Sequence, residues 1–438
     1  MAYKPRLAIV STYDDLCGIA GYTRALIEYL SEKFEIEVFD LDQYLMRATA
    51  GSVKRLADQK IKAMCDRFAE FDYVNIQLEY GTLGHSNKDI LQRFKQLIDA
   101  APALSVTFHT ILRSEAFPTT EIRKAVFKVE IWKTYQLMRD HRLQRNFRAE
   151  IYSSLRDMQT EKQLSIIVHT QRDAKEMRHL HRFESVFDHP LSFIPKKEAA
   201  KIRSGAKRGE FTGLAHLPKG AKVLGVFGFL SEYKGIHTAI RALQLLPENY
   251  HLAIFGGLHP HEIKKSNQVH PYIGTLLAET HVGESLIHSM RGEPGTGNIA
   301  ITLKDADPST LLQSPRDISS RVHFMGTPSD EGLVKAMSVS DIAILPYFEV
   351  GQTSSGPMSM VLEMGTPIIA ARNHAFLQFS RYHPGRINFF EVGNHLELAQ
   401  RVLSLPSGQV GVPDLKFTTE TNLDTYTAAN TLTDAHAE

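Results

Sequence analysis

Short apolar runs recur along the chain, and the stretches between them carry helical periodicity. Residues 7–11, 36–39, 73–77, 104–108 and 164–169 have the length and apolar continuity of buried strands. Residues 20–30 and 88–98 read as amphipathic helices between them. Strands of this kind alternating with helices predict a parallel sheet covered on both faces. The pattern fades over residues 195–222, where Lys, Gly, Ser and Ala recur without periodicity, and this stretch reads as a linker. It resumes with strands at 223–227, 251–255, 322–325, 342–345 and 368–371 and a helix at 236–246. The expected fold is therefore α/β: two tandem doubly wound Rossmann-like domains facing a cleft, with ligands at the strand C-termini. Their bounds fall at 1–195 and 196–410. A tail over 411–438 follows, in which residues 423–429 can form a short helix docking back on the N-terminal domain.

Two segments depart from the alternation. Residues 120–162 are helical and basic, with ten Lys/Arg against six Asp/Glu and Phe127, Trp132, Tyr135, Phe147 and Tyr152 interleaved. Such a segment suits an anionic membrane or an acidic acceptor, and equally a solvated helical face or a subunit contact. Residues 256–321 contain Gly, Pro and His and run longer than a crossover needs. His259, His261 and Glu262 lie there without a third ligand at metal-site spacing, so a surface loop is expected and no metal.

Composition narrows the classes. An apolar content of 43% over 438 residues can fill two cores, and a net charge of +1 removes any whole-chain attraction to nucleic acid. Cys17 and Cys65 do not make a disulfide framework and fit a reducing compartment. The first apolar run is too short for a signal peptide, and no run approaches a membrane span. A cytoplasmic protein is expected, with peripheral contact at the inner membrane face left open.

Candidate chemistry concentrates in residues 341–371, which read strand, polar turn, helix, strand. The turn holds Gly351, Gln352, Thr353, Ser354, Ser355 and Gly356, and the helix covers 357–364. A Ser/Gly turn opening a helix directs free N–H groups and the positive helix end one way, which suits the phosphates of a nucleotide. Gly18 and Gly21 bracket the turn between the first strand and helix. They allow close backbone approach to a diphosphate or sugar, or serve a tight turn.

Several motifs carry a resemblance. In the first part they are CGIAGYTRAL (17–26), VNIQLEYGTLG (74–84) and SVTFHTIL (105–112). In the second they are VFGFLSEYKGIHTAIRAL (226–243), HLAIFGG (251–257), RVHFMGTPSDEGLVKAMSVSDIAILPY (321–347) and the 341–371 stretch. In this order they resemble glycosyltransferase family 4, the retaining glycosyltransferases of two-Rossmann (GT-B) type, over most of the chain. The resemblance implies transfer of a hexose-type sugar from a nucleotide-diphosphate sugar to a glycan, lipid-linked or other acceptor, as in polysaccharide or glycoconjugate biosynthesis, with no cofactor required. It places His109 beside the donor sugar and Lys234 on the departing phosphate as catalytic groups. It implies donor binding by Gly18, Gly21, Glu349, Gln352, Thr353, Ser354, Ser355 and Gly356, and an acceptor side at Glu79 and Tyr80. Expected partners are the nucleotide sugar and the acceptor, with a second copy of the chain left open.

Two departures stand out. An arginine usual in the family is Phe229 here, with Arg172 or Arg372 as stand-ins. A spaced pair of glutamates is absent: aligning on Gly365 puts Gln352 and Met360 there, and aligning on Glu349 puts Pro357 at the second position. The alternatives are a catalytically degenerate binding or scaffold subunit, or a GT-B sugar-nucleotide epimerase.

Overall fold

A computed structural model describes residues 3–15, 17–113, 116–258, 268–280, 287–292, 299–303, 317–349, 351, 353–405 and 411–431. The chain divides into two compact units, Met1–Pro190 with Glu420–Glu438, and Leu191–Thr419.

The first unit contains β1 (Arg6–Ser11), β2 (Glu35–Asp40), β3 (Tyr73–Leu78), β4 (Leu104–Phe108), β5 (Leu164–Val168) and β6 (Val186–Asp188). They pair parallel in the order β2-β1-β3-β4-β5-β6. Between them run α1 (Gly18–Leu30), α2 (Gln43–Met46), α3 (Gly51–Arg67), α4 (Tyr80–Leu83), α5 (Asn87–Ala100), α6 (Thr119–Phe127), α7 (Ile131–Glu161) and α8 (Gln171–His179). Helix α5 shows why these segments fold as they do. Ser86 caps it by accepting from the Asp89 N–H, and Ile90, Phe94, Leu97 and Ile98 fall on one face and are buried against the sheet. The basic segment is two helices rather than one. The Glu130 N–H reaches the Ala125 carbonyl and the Val129 N–H the Val126 carbonyl, which closes α6 in a Schellman turn. Val129 occupies its left-handed position (φ 57°), the seat usually held by glycine.

The second unit opens with α9 (Lys196–Gly205) and α10 (Thr212–Ala215), where a linker was expected. Ala199 and Leu214 are fully buried in its core, and Ile202 and Phe211 pack beside them. Few apolar residues suffice for these short helices because each buries only one narrow stripe. The sheet comprises β7 (Lys222–Phe227), β8 (Tyr250–Phe255), β11 (Val322–Phe324), β12 (Ile342–Leu345), β13 (Ile368–Ala371) and β14 (Ile387–Phe390). These strands run parallel in the order β11-β8-β7-β12-β13-β14. A separate antiparallel pair, β9 (Ile287–Gly292) and β10 (Ile299–Leu303), lies in the long 256–321 stretch. The helices are α11 (Ile236–Gln244), α12 (Pro271–Glu279), α13 (Asp330–Val339), α14 (Gly356–Glu363), α15 (His374–Ser380) and α16 (His395–Ser404). The last helix, α17 (Thr419–Asn430), returns to the first unit. Both units thus have a Rossmann-like α/β architecture. Among the described residues no helix is long and apolar enough to cross a membrane.

Candidate functional site

In the second sheet the chain leaves β7 toward β8 on one side and later returns to β12 on the other. The C-terminal ends of β7 and β12 are therefore the topological switch point, where ligands of open α/β sheets bind. The loops leaving these two strands are knitted together. A Cβ on Gly235 (φ 61°) would stand 2.0 Å from the Pro346 carbonyl oxygen, so only glycine allows the approach. The Phe348 N–H donates to the Tyr233 carbonyl at 2.7 Å.

Between these loops lies Lys234, only 7% exposed. Its Nζ sits 3.8 Å from the Tyr347 ring centroid and 5.0 Å from that of Tyr233. No carboxylate pairs with it among the described residues. Burial lowers its ammonium to a pKa of about 7. A buried amine held by aromatic faces and lacking an anion is half of an ion pair, and a polyanionic ligand would complete it.

The same switch point presents the N-terminus of α14. Ser355 occupies the cap position without a side-chain capping bond. The Ser355 and Ser359 hydroxyls, one helical turn apart, are buried; Ser355 faces the Tyr347 hydroxyl, and Ser359 has no partner among the described residues. Thr353 is buried and Ser354 half-buried, while a Cβ on Gly356 would press on Phe193 at 3.3 Å. Gln352 lies outside the described residues, as do His259, His261 and Glu262. Glu349 is engaged elsewhere: its carboxylate accepts from the Gly351 N–H at 3.1 Å and the His374 N–H at 2.7 Å, and meets His374 Nδ1 at 2.9 Å. Partial burial opposes its ionisation, but the bonds from His374 and Gly351 outweigh this and hold the carboxyl below its usual range. Of the expected arginine stand-ins, Arg372 pairs with Glu391 at 2.9 Å, and Arg172 belongs to the other unit. Phe229 is half-buried.

Glu363 is a structural carboxylate, which sequence inspection passed over. Buried at the end of α14, it accepts from the Ser192 hydroxyl at 2.7 Å and from the N–H groups of Phe193 and Ile194. It thereby fixes α14 to the segment that opens this unit.

In the first unit, His109 ends β4 and is buried beside Tyr22 and His169, with ring centroids 5.7 and 5.1 Å away. Its Nε2 meets Gln77 Oε1 at 2.9 Å. Gln77 Nε2 donates to Asn75 Oδ1 and to the Tyr426 hydroxyl at 3.2 Å, so its amide oxygen is left to accept from His109. Burial, reinforced by His169, pushes the His109 pKa well below the usual imidazole value, and the ring is neutral at pH 7. His169 ends β5, and its Nδ1 bonds the His189 carbonyl. Its Nε2 is buried without a partner, and burial lowers it to about 4. The signal for this second histidine was present. SVTFHT at 105–110 and SIIVHT at 165–170 are the same strand-His-Thr phrase, and β4 and β5 pair Phe108 with Val168. Parallel register then sets the two rings side by side.

Glu79, just beyond β3, accepts from the Thr110 hydroxyl at 2.6 Å, and burial raises its carboxyl above the usual range. Tyr80 is a core residue whose ring meets Phe147 edge-on. Gly18 and Gly21 form the first turn of α1, capped by the Cys17 Sγ, and neither has positive φ. A Cβ on Gly18 would touch nothing, so packing does not require glycine there. Among the described residues no three His, Cys, Asp or Glu side chains are grouped to hold a metal ion.

No protein-family model matches the sequence, and no curated protein does. Solved structures do resemble the fold. HepE from Anabaena in complex with UDP and glucose is 15% identical, with a TM-score of 0.51 over 98% of this chain and 95% of that one. Sucrose-phosphate synthase from Thermosynechococcus elongatus is 15% identical, with a TM-score of 0.56 over 98% and 96%. A UDP-forming α,α-trehalose-phosphate synthase from Burkholderia xenovorans is 11% identical, with a TM-score of 0.59 over 97% and 98%. At these identities the likeness is one of fold.

Proposed function

We propose that the protein is a retaining glycosyltransferase that takes a hexose from a nucleotide-diphosphate sugar. The observation that carries this reading is Lys234, a buried amine with no carboxylate partner among the described residues, at the switch point of the second sheet. The open N-terminus of α14 and the Ser355 and Ser359 hydroxyls supply neutral donors for the same ligand. The resembled structures add that HepE binds UDP-glucose and that a second neighbour is UDP-forming, so uridine nucleotides are the first donors to test.

In this mechanism the diphosphate supplies the counter-charge that makes the Lys234 ammonium stable in its buried site. The charged amine and the α14 N–H groups then stabilise negative charge as the sugar–phosphate bond breaks. Glu349 acts at second hand, holding the turn and the start of α15 in place. Neutral His109 offers hydrogen bonding to a sugar hydroxyl, and no proton transfer is assigned to it. Acceptor contacts are assigned to the Glu79 region, without Tyr80. The acceptor is a glycan, a lipid-linked sugar or a phosphorylated sugar.

The test is a screen of nucleotide sugars for slow hydrolysis without acceptor, followed by Lys234→Ala on the donor found. Loss of kcat/KM by roughly a hundredfold or more is expected, the scale for removing one charge-stabilising group. Near-intact turnover would remove Lys234 from the mechanism. One observation favours a second reading, a non-catalytic nucleotide-binding subunit: Phe229, and Met360 or Pro357 according to the register, stand where the resembled family places charged groups. Nucleotide binding with no hydrolysis or transfer on any donor would select it.

A further inference from the structure

The boldest surface feature of the first unit is the turn between α6 and α7. From residue 116 to residue 146 the only buried residue is Ala125. Phe127 is 82% exposed and Trp132 68%, with Val129 and Ile131 between these values. Tyr135 and Met138 extend the apolar surface along α7, and the Trp132 and Tyr135 rings lie 5.6 Å apart. Soluble surfaces rarely carry so many large apolar side chains together without a partner. The turn itself argues that this surface is kept apolar. Its left-handed position is easiest for glycine, yet it holds Val129, a β-branched side chain turned out to solvent.

Charge identifies the partner. Residues 119–146 contain seven Lys/Arg and three Asp/Glu. Lys133 pairs with Glu130 and Arg139 with Asp140. Arg123, Lys124, Lys128, Arg142 and Arg145 have no carboxylate partner among the described residues. Two copies of such a face repel one another, whereas an anionic surface complements it. An apolar tip ringed by cations and bearing tryptophan matches the bilayer interface, where aromatic rings sit at headgroup depth and lysines meet lipid phosphates.

We propose that the α6–α7 tip docks the protein onto an anionic lipid bilayer, with Phe127, Val129, Ile131 and Trp132 entering the interface and the surrounding cations meeting the headgroups. This placement is independent of the transferase reading, and it fits an acceptor presented at a membrane.

Trp132 is the chain's only tryptophan, so its emission reports the tip directly. The full-length protein is mixed with vesicles of phosphatidylcholine containing phosphatidylglycerol, and with pure phosphatidylcholine vesicles. The expected result is a blue shift of Trp132 emission and co-sedimentation with the anionic vesicles only, reversed by about 0.5 M salt. Phe127→Asp, Val129→Asp and the pair Lys124→Glu with Lys128→Glu each weaken vesicle binding by about tenfold or more. Nucleotide-sugar binding by these variants stays at the wild-type level, which separates failure here from failure of the transferase reading. Unchanged emission with no sedimentation on anionic vesicles overturns the proposal. Vesicle binding that survives Phe127→Asp overturns it too. A blue shift that grows with protein concentration in the absence of lipid assigns the tip to a second copy and also overturns it.

Discussion

Lys234 separates what a residue's identity shows from what its surroundings add. Its position before a glycine at a helix start was legible in the sequence, but its burial against Tyr347 was not, because that contact joins loops far apart in the chain. Burial has a sign that can be worked out. The folded pKa of about 7 lies below the ordinary 10.5, so between these values the unfolded chain binds more protons than the folded one. Stability from this group is therefore absent below pH 7 and accrues as pH rises toward 10.5. Lys234→Met at pH 6 should raise stability by about 1–3 kcal/mol, as replacement of a buried charge by an apolar chain often does. The same variant should lose nucleotide-sugar binding. Urea unfolding and calorimetric titration measure the two effects, and a less stable variant would make Lys234 structural. Each phosphate of a nucleotide sugar carries one ester and one anhydride link, and neither titrates near neutrality. Just above pH 7, before a uracil ring ionises, any pH dependence of donor affinity then belongs to the protein. Affinity should fall by up to about tenfold per pH unit there in the wild type and stay flat in Lys234→Arg, whose guanidinium remains charged.

At the scale of elements, the positive end of α14 carries two buried hydroxyls, Ser359 without a partner among the described residues and Ser355 facing the Tyr347 phenol. Ser355→Ala removes a buried hydroxyl whose only neighbouring polar group among the described residues is the Tyr347 phenol, so stability should change by no more than about 1 kcal/mol. Donor KM should rise by about tenfold if the hydroxyl meets phosphate oxygens. A strongly destabilised variant with unchanged KM would assign Ser355 to the fold instead. Strand positions near this site were legible because β7, β12 and β13 are continuous apolar runs bounded by turn residues. The edge strand β14, whose pattern of burial is broken, was not, and neither were α9, whose lysines conceal a narrow apolar stripe, and the four-residue α10. The turn from Gly351 to Gly356 could be read as an anion cradle from composition alone. That Glu349 would cap α15, and Glu363 secure the start of the unit, depends on contacts that spacing along the chain does not encode.

For the whole molecule, the return of α17 to the first unit sets a helix from late in the sequence against β3 and β4, strands from its first quarter. Polar groups hold the helix alongside its buried Leu423, Tyr426 and Ala429. Asn422 Nδ2 donates to the Tyr29 hydroxyl at 2.7 Å and the Tyr22 hydroxyl at 3.0 Å, and Asn430 Oδ1 accepts from Ser105 at 2.8 Å. The Tyr426 hydroxyl meets Thr107 Oγ1 at 3.0 Å and accepts from Gln77 Nε2, whose other amide atom faces His109. A phenol near the C-terminus thus helps set which atom of Gln77 faces the β4 histidine. Tyr426→Phe removes the hydroxyl and leaves Gln77 Nε2 and Thr107 Oγ1 short of a partner in a buried site. Unfolding of the first unit should be easier by about 1–3 kcal/mol, while that of the second unit is unchanged. Hydrogen exchange resolves the two units, with slowed exchange lost in β3 and β4 and retained in β7 and β12. If His109 acts on the donor sugar, the same substitution should lower kcat while leaving nucleotide affinity intact, because the proposed diphosphate site is built from residues of the other unit. A fall in nucleotide affinity equal to the fall in kcat would place the effect in the second unit and break the link between Tyr426 and His109.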